Sequence, residues 1–186
     1  FSRPQGSETP NNYYTMNGTI GGFMMDLRSE QLPSQNQAVS QGQMDALKDW
    51  LVDPVHKDRV KPIFMSTTAL MLRGDGWSVS PDQLSELLNH IKNHRIKYVA
   101  FFTGDIHVGK TGLWHFVEED EKSAKKTKGL YILEDASSGF HTTSAGKKDK
   151  LLDIQDLSQW NGPILSAEGA FSPTIEEDKY THISID

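Results

Sequence analysis

Residues 96–107 read Ile96-Lys97-Tyr98-Val99-Ala100-Phe101-Phe102-Thr103-Gly104-Asp105-Ile106-His107. The first eight are mostly apolar, β-branched or aromatic, so they predict a short buried strand. Gly104 breaks that strand, and Asp105 and His107 follow it. In extended chain, positions i and i+2 project to one side. A carboxylate and an imidazole at the carboxyl end of a sheet strand make half of a metal or phosphate site. In open α/β sheets ligands bind at that edge.

Working outward, Ser80-Pro81-Asp82 starts a helix, with a cap residue and a proline in the first turn. Its core stripe is Leu84, Leu87, Leu88 and Ile91, and Lys92 to Arg95 give it a basic last turn. Further upstream, Pro62 to Met65 predicts a strand and Gly74-Asp75-Gly76-Trp77 a loop. Met44, Leu47 and Leu51 fall at helical spacing with Trp50 at the stripe edge, and Asp53-Pro54 ends that helix. Near the start, Asn17-Gly18 between Tyr13–Met16 and Thr19–Met25 predicts a hairpin turn, and Asn17-Gly18-Thr19 is also a glycosylation sequon. Downstream, Leu113 to Val117 and Leu130 to Leu133 predict strands, with Glu118 to Lys128 as a charged loop between them. Residues 1–12 and 141–178 read as loop-rich, the latter with a short helix near Leu151. Tyr180 to Ile185 alternates like a final strand. Helices and strands alternate in the middle and hairpins sit at both ends, which predicts an α/β fold with a mixed sheet.

At 186 residues the chain is long enough for one well-buried domain. Its charged fraction of 24% and hydrophobic fraction of 36% are those of an ordinary globular protein. The net charge of −6 argues against a nucleic-acid partner, which selects for a basic stripe. It leaves room for an anionic small substrate, because a bound cation inverts local charge. With no cysteine, disulfides and thiolate metal sites are excluded. No apolar run reaches the ~18 residues that span a bilayer. Phe1 opens a polar stretch, so the chain reads as a piece of a longer protein.

Two chemistries compete at the central motif. Gly104 to Thr111 spells G-D-I-H-V-G-K-T, the P-loop pattern, in which backbone N–H groups cradle phosphates and Lys110 reaches the terminal ones. That reading requires a helix next, yet Gly112-Leu113-Trp114-His115-Phe116-Val117 is a poor helix start. The other chemistry is metal-assisted phosphoester hydrolysis. Asp105 suits a hard cation. His107 can ligate a metal, contact a phosphoryl oxygen or protonate the leaving group. Taken alone, the pair reads more readily as a capping aspartate and a partly buried histidine than as a site.

Five motifs in order resemble the PhoD-like (alkaline phosphatase D) family of calcineurin-like metallophosphatases. Phe23-Met24-Met25-Asp26-Leu27-Arg28 resembles its strand ending in D-x-R, and Gln43 with Trp50-Leu51 resembles its Q-x-x-W-L helix. Asp75-Gly76-Trp77, followed by Ser80-Pro81, is similar to its D-x-W loop and the helix after it. Gly104-Asp105-Ile106-His107 resembles its G-D-x-H motif, and Glu134 to Gly139 its E-x-x-S-S-G strand end. The resemblance implies a β-sandwich flanked by helices and hydrolysis of phosphate monoesters or diesters. It also implies a multi-metal site, commonly iron with calcium, with manganese or zinc as other candidates. Asp105 would then be a metal ligand and His107 the catalytic group facing the phosphoryl. Asp26, Arg28, Asp75 and Trp77 would line or support the pocket. Asp26 with Arg28 reads equally as an ion pair closing a strand end, and Trp77 as a packed aromatic. Many family members are exported, so an extracytoplasmic setting is the expectation.

The departures from the family pattern are informative. The chain has no early D-x-H or G-D-x-x-D and no G-N-H-[DE], the segments that carry most of the family's metal ligands. Gln83 stands where an arginine is expected, and Ser29-Glu30 follow Arg28 without a second arginine. One aspartate and one histidine cannot fill a site in which each ion takes four or more ligands. Residues 1–186 therefore read as the C-terminal portion of a single catalytic domain. The missing N-terminal half is its partner, and the isolated chain is expected to be inactive. A non-catalytic ligand- or partner-binding module of the same fold is the alternative. His90 and His94 lie four apart on the predicted helix but lack the glutamate of a zinc motif, and Ser137 and Ser138 lack a nucleophile-elbow setting.

Overall fold

The computed structural model describes residues 12–16, 20–54, 61–65, 76–96, 99–104, 110–120, 123–136, 154–156 and 164–171. In chain order these form β1 (Asn12–Met16), β2 (Ile20–Met24), α1 (Gln41–Val52), β3 (Lys61–Met65), α2 (Pro81–Asn93), β4 (Ala100–Thr103), β5 (Lys110–Asp120), β6 (Ser123–Ala136), β7 (Ile154–Asp156) and β8 (Ile164–Phe171). Two short 3-10 turns lie at Pro33–Gln35 and Gly76–Val79. The strands make one eight-stranded sheet in the order β1-β2-β3-β4-β6-β5-β8-β7. Neighbours β2, β3, β4 and β6 are parallel, while β1, β5, β7 and β8 pair antiparallel. The mixed α/β architecture is the one expected.

Each helix forms for local reasons. Ser40 accepts the Gln43 N–H at 3.2 Å and caps α1. Met44, Leu47 and Leu51 bury its inner stripe, and Trp50 joins them, its ring 5.6 Å from that of Phe23. Ser80 accepts the Gln83 N–H at the start of α2, with Pro81 in the first turn. Leu84, Leu87, Leu88 and Ile91 are all buried. Both helices share one core with Phe23, Phe101, Trp114, Phe116, Ile132 and Ala136 of the sheet. A fully buried side chain of this kind is worth roughly 1.5–3 kcal/mol, so this contact dominates the stability of the unit.

On the opposite sheet face several apolar side chains of the described residues are exposed. Met24, Leu113, Leu133 and Tyr131 alternate with those core residues and are 41%, 41%, 42% and 59% exposed. Leu113 and Leu133 are direct cross-strand partners. His115 and Tyr131 pair likewise, their rings stacked at 4.3 Å.

Several sequence expectations need correction. The strand expected from Ile96 begins only at Ala100. Arg95 takes a left-handed φ of 55° and the Ile96 N–H donates back to the Ile91 carbonyl at 3.0 Å, so Ile96 closes the helix instead. The charged segment Glu118–Lys128 is not one loop. Its flanks extend β5 and β6, and Glu118 lies opposite Lys128. The loop-rich stretch 141–178 contains β7 and β8. Gly76 and Trp77 open a 3-10 turn. The helix near Leu151 and the strand from Tyr180 lie outside the described residues. Among the described residues no helix is long and apolar enough to cross a membrane.

Candidate functional site

Parallel pairing puts the carboxyl ends of β2, β3, β4 and β6 on one edge. Met24 is level with Met65, Met65 with Phe102, Phe102 with Asp135, and Thr103 with Ala136. Three of the sequence motifs follow those ends directly: Asp26 to Arg28 after β2, Gly104 to His107 after β4, and Ser137 to Gly139 after β6. Both Thr103 and Lys110 lie opposite Ala136, so the segment between them joins strands on either side of β6. Asp75, Asp105 and His107 lie outside the described residues.

The P-loop alternative fails here. Lys110 opens an eleven-residue strand, so no helix N-terminus follows the glycine-lysine-threonine to present N–H groups to a phosphate.

Asp26 builds a turn. Its carboxylate accepts the N–H groups of Arg28 at 3.0 Å and Ser29 at 2.8 Å, and also the Ser29 hydroxyl. The Ser29 hydroxyl, and then those two N–H groups, hold its pKa below the ordinary carboxylate value against the opposing pull of partial burial. This Asx-type turn engages the Asp26 carboxylate, and Arg28 is exposed.

Gln43 anchors that turn from α1. Its Oε1 accepts the Asp26 N–H at 2.7 Å, while its Nε2 donates to the Asp26 carbonyl at 3.3 Å and to Glu30 at 2.6 Å. The same Glu30 oxygen accepts the Ser40 N–H at 3.0 Å. Gln83, in the place of the expected arginine, uses its amide in the same way. Its Oε1 accepts the N–H groups of Ala38 and Val39, and its Nε2 donates to the Val39 carbonyl at 2.8 Å. An arginine has no acceptor and could not take those two N–H groups. Gln31 Nε2 reaches the Gly76 carbonyl at 3.5 Å, linking this segment to the turn that carries Trp77. Trp77 itself is fully buried in the core, and its indole N–H has no acceptor among the described residues.

Glu134, read in the sequence only as the first residue of a strand-end motif, ties β4, β5 and β6 together. Glu134 is fully buried, accepting the Thr103 hydroxyl at 2.8 Å and the Trp114 indole N–H at 2.6 Å. The Thr111 hydroxyl donates to Asp135. A signal was available: Ile132, Glu134 and Ala136 share one face by alternation, so a carboxylate was written into a core position.

His90 and His94 do not form a metal pair. His90 Nε2 lies 3.2 Å from the Lys48 carbonyl. Burial, reinforced by the neighbouring His94 and Lys48 charges, lowers its pKa despite that contact. Among the described residues no three histidine or acidic side chains gather as metal ligands. The carboxylates of Asp26 and Glu134 each accept two or more protein donors.

A solved structure of PhoD resembles the chain with a TM-score of 0.54 at 15% identity, covering 92% of this chain and 37% of that one. The likeness shows a shared, PhoD-like fold, and the chain spans 37% of the length of that structure. No family model and no curated protein matches the chain.

Proposed function

We propose that the chain is the C-terminal portion of a metallophosphatase-like catalytic domain that hydrolyses phosphate esters, mono- or diesters, in an extracytoplasmic setting. The observation that carries this reading is the gathering of three motif-bearing strand ends on the carboxyl edge of a PhoD-like sheet. In the proposal Asp105 ligates a metal ion, His107 faces the phosphoryl group, and Arg28 lies exposed at the same edge to contact phosphate oxygens. Asp26 and Asp75 support that pocket, and Trp77 packs beneath it. A bound cation pair, iron with calcium or a manganese or zinc equivalent, would polarise the phosphoryl and supply an activated water. Its remaining ligands come from the N-terminal half of the domain, and without them the 186 residues are inactive.

The exposed apolar side chains support the two-part domain. On the two neighbouring strands β5 and β6, Leu113, Leu133 and Tyr131 present exposed apolar side chains of the kind a second sheet covers in a sandwich.

The test is hydrolysis of a phosphate monoester and a diester by the full-length protein, with and without a chelator. Chelator-sensitive turnover that Asp105→Ala abolishes and Lys110→Ala spares supports the reading. A metal-free protein that binds phosphate esters without cleaving them favours a binding module of the same fold. The commitment of Asp26 and Glu134 to protein donors is the observation on that side.

A further inference from the structure

We infer that Glu134 is a positioning residue that fixes the two strand ends from which residues 104–109 depart and return. The inference deepens the metallophosphatase reading and rests on it for its catalytic consequence. Glu134 is buried on the helix-covered face of β6, one position before Asp135 and two before Ala136. Ala136 lies level with both Thr103, the last residue of β4, and Lys110, the first of β5. One carboxylate oxygen accepts from Thr103 and the other from the Trp114 indole, so a single side chain joins β4 to β5 across β6. Two strand spacings, roughly 9–10 Å, are bridged this way. On the other face the Thr111–Asp135 bond fixes β5 to β6 at the neighbouring register.

Packing alone does not call for this arrangement. A carboxylate in an apolar layer is more costly to bury than a leucine of similar size, and its gain lies in directed bonds. Two of its bonds run to the residue bordering Gly104 and to the fourth residue after Lys110. Glutamine can replace them: its carbonyl accepts the indole N–H and its amide donates to the Thr103 hydroxyl. Leucine can replace neither.

The experiment compares Glu134→Gln, Glu134→Leu and Trp114→Phe in the full-length protein. Amide hydrogen exchange at residues 104–110 is read alongside metal affinity and turnover. Faster exchange there is expected in the leucine and phenylalanine variants, with metal affinity or kcat lowered about 10–100-fold in Glu134→Leu and rescue by glutamine. Wild-type exchange and metal affinity in a cooperatively folded Glu134→Leu protein overturn the inference. If that variant does not fold, Trp114→Phe decides by the same readouts. Faster exchange at 104–110 in a protein that neither binds metal nor cleaves esters upholds the positioning role and overturns the metallophosphatase reading instead.

Discussion

Asp26 and Gln43 show how one amide and one carboxylate set a strand end. Gln43 satisfies the Asp26 N–H and carbonyl from inside the core, and Asp26 satisfies the two N–H groups that follow. Gln43→Leu keeps the volume but strands those backbone groups and one Glu30 contact, so it destabilises by about 1–3 kcal/mol in denaturant unfolding. The Asp26 pKa is depressed by the Ser29 hydroxyl first, then by the Ser29 and Arg28 N–H groups. Its ionised form is therefore favoured by folding. That contribution is complete above the unfolded value of 3.8 and is lost as pH falls through the lower folded value. Asp26→Asn removes it, so the wild-type advantage in unfolding experiments shrinks as pH drops below 3.8. An advantage constant across that range contradicts the assignment.

Among the elements, α2 was legible because cap, proline and apolar stripe agree at one spacing, and α1 because its apolar stripe ends at Asp53-Pro54. The β1–β2 hairpin was legible from Asn17-Gly18. The start of β4 was not, because Ile96 is apolar enough for either element and only the left-handed Arg95 decides for the helix. Arg95→Gly relieves that conformation and is expected to stabilise the domain by about 0.5–1 kcal/mol, read as a higher Tm. An unchanged or lower Tm contradicts the C-cap assignment. The reach of β5 and β6 was hidden as well, since their outer halves, 118–120 and 123–128, are rich in charged residues and carry no apolar alternation. At the site, the motifs after β2, β4 and β6 fall at strand ends that share one edge of the sheet. Alternation marks Glu134 as a core carboxylate, but its partners and those of Gln83 lie 20 or more residues away and could not be read from local pattern.

For the whole molecule, one sheet face carries both helices and the other carries exposed Leu113, Leu133 and Tyr131. If a second sheet covers that face, Leu133→Lys is nearly neutral in the isolated 186 residues. In the full-length protein it then costs several kcal/mol, because it buries an unpaired charge. Equal effects in the two contexts contradict the sandwich. The central claim is that the carboxyl edge of this PhoD-like sheet completes a phosphoester-cleaving metal centre. Elemental analysis of the purified full-length protein tests it most directly. The account predicts two or more tightly held metal ions per chain, reduced by Asp105→Ala; a folded protein that holds none contradicts it.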